Sequence, residues 1–151
     1  METDVERHAA HPVAPGFELF DHTAEVGLRA WGPTPAAAFA AAAEGMFSVI
    51  VDPGTVRPTL WKDIAVEASD APDLLVCWLN ELLYLLDAEL FVPVVFYIDA
   101  WSETSLTARA GGDTADRDRH AFRSAVKTVT YHRLSVAWRD DRWQVEAILD
   151  V

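Results

Sequence analysis

Residues 70–89 constrain the fold more than any other stretch of this chain. Asp70 offers a side-chain oxygen as a helix N-cap, Pro72 suits a first turn, and Asp73 lies near the positive end of the helix dipole. Leu74, Leu75, Trp78, Leu79, Leu82, Leu83, Leu85 and Leu86 then occupy almost the whole circumference. A helix that is apolar nearly all round must be covered on most of its sides. Cys77, Asn80, Glu81, Tyr84 and Asp87 interrupt the pattern at helical spacing, so they share one narrow stripe, expected to face solvent. A chain of 151 residues is long enough to bury such a helix in one domain, hiding about 70% of its unfolded surface.

The flanking segments supply the cover. Residues 17–20 read as a short strand and 21–25 as a turn, after which Val26, Leu28 and Ala30 alternate with Gly27, Arg29 and Trp31 as in a half-buried strand. Thr34-Pro35 opens a first helix with Phe39, Ala43, Met46, Phe47 and Ile50 on one face, and Pro53-Gly54 closes it. Residues 61–68 are a further strand. The run 91–101 is almost continuously apolar, which predicts a central strand covered on both faces. Residues 105–110 alternate and lead to a turn at Gly111-Gly112; 113–123, dense in both charges, predict a long exposed loop. In the last third the apolar positions jump from Val129 and Tyr131 to Leu134, Val136 and Trp138, which places a β-bulge at His132-Arg133. Asp140-Asp141 marks a hairpin turn. The final strand puts Trp143, Val145, Ala147, Leu149 and Val151 on one face and Asp150 on the other.

The order β-β-α-β-α-β-β-β-β predicts a single α+β domain over residues 17–151, with two helices covering mostly antiparallel sheets. Residues 1–16, polar and ending in Pro12 and Pro15, read as a flexible lead-in.

Composition excludes several functions. With 24 acids against 12 lysines and arginines the formal charge is −12, so a nucleic-acid backbone is repelled on average and direct binding is not expected. One cysteine, Cys77, leaves no internal disulfide and agrees with a reducing cytoplasm. No apolar run reaches the length of a membrane span. Phosphate-cradling glycine loops, nucleophile elbows and zinc-protease motifs are all missing.

The chemistry that remains sits at strand ends: Asp21, His22 and Glu25 in the first turn, Lys127 and His132 on the bulged strand, and Asp150 beside the carboxylate of Val151. Oxygen donors of this kind suit calcium, with magnesium or manganese as alternatives, better than zinc, which prefers histidine and cysteine. Spacing alone leaves two other readings open. Asp21 can simply cap a turn while Asp150 is a solvated acid, or Asp21 and His22 can be the acid–base pair of a metal-dependent hydrolase or phosphotransferase. No nucleophile stands near that pair in sequence.

Four segments narrow the choice: Asp-His-Thr-Ala-Glu-Val-Gly-Leu-Arg-Ala-Trp-Gly (21–32), Leu-Leu-Val-Cys-Trp-Leu-Asn-Glu-Leu-Leu-Tyr (74–84), Lys-Thr-Val-Thr-Tyr-His (127–132) and Ile-Leu-Asp (148–150). Together, in this order, they resemble the archease family. The resemblance implies a small non-enzymatic α+β protein that activates an RtcB-type RNA ligase, the enzyme that joins 2′,3′-cyclic- or 3′-phosphate ends to 5′-hydroxyl ends in tRNA splicing and RNA repair. It implies that the chain promotes GTP-dependent guanylylation of that ligase and its multiple turnover. It also implies a metal site on Asp21 and Asp150 with a terminal contribution from Val151. Glu25 departs from the family pattern, which often has aspartate there. His22, Glu25, Lys127 and His132 are then candidates for contacts to the partner or to nucleotide phosphates. A chaperone-like binding module is the remaining alternative.

Overall fold

A computed structural model describes residues 13–151. The expected lead-in therefore falls largely outside the described residues; 13–15 carry no regular structure and the first strand starts at Gly16. Seven strands and two helices follow in the expected order: β1 Gly16–His22, β2 Glu25–Gly32, α1 Pro35–Ile50, β3 Leu60–Glu67, α2 Ala71–Glu89, β4 Phe91–Trp101, β5 Ser105–Thr114, β6 Thr128–Arg139 and β7 Arg142–Asp150. They form a four-stranded sheet in the order β1-β2-β7-β6 and a three-stranded sheet in the order β3-β5-β4. Every pairing is antiparallel.

The two helices form a layer between the sheets, which is why α2 tolerates so little polarity. In α1, Gly45 backs onto Phe17 and Leu28 of the four-stranded sheet, while Phe47 meets Phe96 of β4 at 5.9 Å between ring centroids. In α2, Trp78 packs edge-on against the same Phe96 and its indole N–H donates to the Phe39 carbonyl at 3.0 Å. Leu74, Leu75, Trp78, Leu79 and Leu82 are all fully buried. Thr34 and Asp70 are the helix N-caps, their side chains accepting from the amides of Ala37 and Asp73 at 3.1 and 2.8 Å.

Four expectations are corrected. The 91–101 run is an edge strand: β5 occupies the centre, and only the first half of β4 is buried on most sides. Pro93, which cannot donate to a ladder, sits at one of two register shifts in it, as edge strands allow. Gly111 and Gly112 lie within β5 and make no turn. A methyl on Gly112 would collide with the Val92 carbonyl, so glycine is needed where β4 closes on β5. In the 113–123 segment Asp113 and His120 are buried rather than exposed. There His120 Nδ1 accepts from the Asp116 amide at 3.0 Å and Arg119 bridges Asp113 and Asp116, which pins the segment down. Finally, the polar stripe of α2 does not wholly face solvent. Asn80 Oδ1 accepts from the Val129 amide at 3.0 Å and the Thr128 hydroxyl at 3.3 Å, so this part of α2 lines the otherwise open edge of β6.

The last hairpin matches expectation closely. Arg139 pairs with Arg142 across Asp140 and Asp141, whose φ of 54° and 61° define a two-residue primed turn. The β6–β7 register breaks between Thr130 and Ser135, with Arg133 at φ 53°.

Candidate functional site

Pairing collects the chemistry-bearing residues on one rim of the four-stranded sheet. β1 ends at His22, β2 begins at Glu25, β7 ends at Asp150 and β6 begins at Thr128. Because neighbours run antiparallel, these four ends lie side by side. Lys127 joins them through its amide, which donates to the Asp150 carbonyl at 2.7 Å. The β1–β2 turn is only Thr23-Ala24, and Thr23 adopts φ 53°. A β-branched residue in the left-handed region stores strain of about 1–2 kcal/mol.

Strand parity divides the rim between two faces. Asp21 pairs with Val26, Val26 with Leu149 and Leu149 with Val129, a row that points into the helix layer. Val151 packs against that core as well. His22 pairs with Glu25, and Asp150 with Thr128, in the adjacent row that points outward. Asp21 and Leu149 stand two strands apart, about 10 Å between backbones. The structure thus places Asp21 and Asp150 at the same sheet end but sends their side chains to opposite faces.

On the outward side the β6 bulge folds back over the sheet. It carries His132 to His22, with 5.2 Å between ring centroids. His22 Nδ1 is buried without a hydrogen-bond partner and lies 3.6 Å from Glu25 Oε1. Arg133 and Arg29 both lie against the Phe20 ring, their guanidinium carbons 5.7 and 5.0 Å from its centre. Glu146 accepts from Arg29 at 2.8 Å and pairs with Arg133 at 3.4 Å, and Glu18 completes the group on Arg29. These hydrogen bonds, from Glu18 first and Glu146 next, hold the Arg29 guanidinium above its usual pKa. The Phe20 ring lies flat because the residue across from it is Gly27, where a methyl would overlap the ring. Tyr131 fastens the bulge from the other side, its hydroxyl donating to Asp73 Oδ1 at 2.8 Å. The Ser69 amide, then the hydroxyls of Tyr131 and Ser69, hold the Asp73 carboxyl below its usual range; the bond to Asp73 pushes the Tyr131 phenol up.

On the inner side Asp21 opens onto a depression of about 460 Å³ lined by Leu19, Val26, Ser48, Val49 and Arg123. Arg123 is held there by the Ser48 carbonyl at 3.0 Å and by Asp52 at 3.9 Å. The Lys127 side chain is exposed.

The oxygens of Asp21, Asp150 and Val151 have the right chemistry for a hard cation. Among the described residues, however, no three His, Cys, Asp or Glu side chains stand together as a ready cage. With their side chains on opposite faces and two strands apart, Asp21 and Asp150 do not share one coordination shell as they stand.

Several residues at this rim escape a sequence reading. Nothing in the sequence links Arg123 to Asp21 or Asn80 to Thr128. The bulge was foreshadowed by the jump of apolar positions at 131–134, but not that it would cover Phe20 and meet His22.

Comparison with known proteins decides the family. The model of the Archease protein family (MTH1598/TM1083) matches residues 17–151. The chain belongs to the archease family. It is 34% identical over 139 residues to protein archease of Methanosarcina barkeri, covering 89% of this chain and 95% of that one. Protein archease of Saccharolobus islandicus is 39% identical over 137 residues, covering 89% and 98%. The solution structure of Methanobacterium thermoautotrophicum protein 1598 superposes with a TM-score of 0.75 at 31% identity, over 90% of this chain and 99% of that one. A second archease structure, from Thermotoga maritima and described as a possible chaperone, has a TM-score of 0.57 at 14% identity over 89% and 96%, a likeness of fold alone. The expected α+β architecture of two helices and antiparallel sheets is therefore that of the family. Among the described residues, no helix is long and apolar enough to cross a membrane.

Proposed function

We propose that this chain is an accessory protein that activates an RtcB-type RNA ligase, promoting GTP-dependent guanylylation and multiple turnover in tRNA splicing and RNA repair. The observation that carries the reading is the rim: the sheet register brings Asp21, Asp150 and Lys127 to one end of the molecule. Family membership and the charge of −12 support it, since a ligase that grips RNA presents basic surface to which an acidic partner is steered.

In this reading Asp150 and a main-chain oxygen of Val151 hold part of the shell of a divalent cation, calcium first and magnesium or manganese next. Asp21, on the other face, joins that shell only when the rim rearranges on the ligase, and the ligase or its nucleotide supplies the rest. The bound cation offsets negative charge on phosphate oxygens. Lys127 adds a positive charge beside Asp150, while His22, Glu25 and His132 contact the partner or the nucleotide from the outward face. The rim aligns the ligase and its nucleotide and leaves bond-making to the ligase.

The test is an RNA-joining assay with the ligase in excess of this chain. Wild type should raise the number of turnovers per ligase, and Asp21→Ala or Asp150→Ala should remove most of that gain while leaving the fold intact by circular dichroism. No gain with wild type, or full gain with both variants, defeats the proposal. Nucleotide or phosphoester hydrolysis by the chain alone would favour an enzyme instead. Protection of unrelated proteins from aggregation, with no effect on the ligase, would favour a chaperone-like module, the description given to the Thermotoga structure.

A further inference from the structure

The outer face of the three-stranded sheet carries a feature the rim does not use. Trp61 of β3 and Tyr97 of β4 are 49% and 50% exposed, yet their rings stack across β5 at 5.9 Å and 13°. The stack depends on Gly111 of the central strand, where a methyl would come within 2.8 Å of the indole. Glycine therefore lets Trp61 lie flat across the sheet. Two large aromatic rings held in register at half exposure form a platform rather than scattered surface residues.

The surroundings say what the platform suits. Asp63 of β3 and Asp99 of β4 are exposed beside it, while Glu67 lies at the far end of β3. Asp63, Asp99 and Thr107 line a hollow of about 290 Å³ on the same face. Among the described residues, the cation on this face is Arg109, which demonstrates the recognition in miniature. Its guanidinium lies 5.5 Å from the Tyr97 ring centre and donates to both Asp99 oxygens, from Nε at 3.1 Å and from Nη2 at 3.1 Å. Aromatic faces attract guanidinium groups, and carboxylates bind them through paired hydrogen bonds that an ammonium cannot reproduce. Sheet-borne aromatics can also stack nucleic-acid bases, but such platforms are bordered by lysine and arginine. Here the border is acidic, on a chain of charge −12.

We propose that this face is a second docking surface, for a basic protein partner that presents arginine side chains to the Trp61–Tyr97 stack and to Asp63, and that competes with Arg109 for Asp99. It lies on the other sheet from the rim and does not depend on the ligase reading.

Calorimetric titration of the full chain with a ten-residue alternating Arg-Gly peptide, its Lys-Gly counterpart and a uridine decanucleotide tests this. The arginine peptide should bind at least about threefold more tightly than the lysine peptide, and the RNA should not bind. Trp61→Ala and Tyr97→Ala should each weaken the arginine peptide by about tenfold. Trp61→Phe should retain most of the affinity, and Asp150→Ala should leave it within about twofold. Circular dichroism of each variant separates lost binding from lost fold, and Trp61→Phe provides the reading if Trp61→Ala unfolds. Equal affinity for both peptides, unaltered binding in a folded Trp61→Ala, or RNA binding abolished by the same substitutions would overturn the proposal.

Discussion

The outer faces of the two sheets start from the same alternating strand pattern and end differently. On the four-stranded sheet, β6 bulges at 131–134 and lays Arg133 and His132 over Phe20 and His22. Charges there are knit internally, Glu146 serving both Arg29 and Arg133, and even Ile148, which shares the outward row, is fully buried. On the three-stranded sheet β4 shifts register at Val94 and at Asp99, yet Trp61 and Tyr97 remain half exposed. In both places a glycine opposite an aromatic residue lets a ring lie flat. Whether that ring becomes packing or platform is decided by what the neighbouring strand does next, not by the ring.

Four substitutions probe this contrast, beginning with the layer both faces share. Trp78→Ala should cost about 3–5 kcal/mol in denaturant unfolding, because the indole touches Phe96 and bonds the Phe39 carbonyl. A loss below about 1 kcal/mol would mean that the helices are not a common interior. Gly27→Ala should cost about 1–3 kcal/mol, since the Phe20 ring has no free direction between Arg29 and Arg133. Gly111→Ala, the matching change on the other sheet, should cost less than about 1 kcal/mol, because Trp61 can swing into solvent. Its signature should instead be loss of the coupled Trp–Tyr signal in near-ultraviolet circular dichroism. Equal costs at Gly27 and Gly111 would erase the difference between the faces.

The smallest effect concerns the fastening of the bulge. Asp73 is lowered and Tyr131 raised by their environment, with the bond between them the largest cause for Tyr131. The contribution of Asp73 is thus complete above the ordinary carboxylate range and fades as pH falls through its own depressed value. That of Tyr131 is complete below the ordinary phenol range and fades as pH rises through its raised value. Asp73→Asn should move the Tyr131 titration, followed by nuclear magnetic resonance, back down toward an ordinary phenol. An unmoved titration would unlink the bulge from α2.

Features governed by neighbours in sequence were legible. Thr34 and Asp70 cap helices because capping needs only a hydroxyl or carboxylate and the next few amides, and Asp140-Asp141 turns because two strands flank it. The odd-to-even jump after Tyr131 showed the bulge for the same reason. Features governed by which strand lies beside which were not. An apolar run such as 91–101 is compatible with a central or an edge position, and Pro93 was the one local sign of the edge. Gly111-Gly112 read as a turn because close approach of another backbone leaves the same residue type as a turn does. At the rim, the sequence supplied Asp21 and Asp150 as separate strand-end acids. Their arrival at one end of the sheet, and their division between two faces, follow from the β1–β2 and β2–β7 registers, which no local pattern encodes.

The β2–β7 register has a consequence for how the protein is made. β2 finds its partner in β7, so Val26 waits for Leu149 while almost all of the chain between them is synthesised. The β1–β2 hairpin can form early, but an isolated two-stranded hairpin is only marginally stable in water. Closing so long a loop carries an entropic cost of about 4 kcal/mol, recovered only when the helices and β6 are in place. The rim is therefore the last part of the molecule to come into being. A chain stalled before β7 carries Asp21 and both helices yet has no assembled rim, so a nascent or truncated copy lacks the Asp150 side of it until its final strand is home.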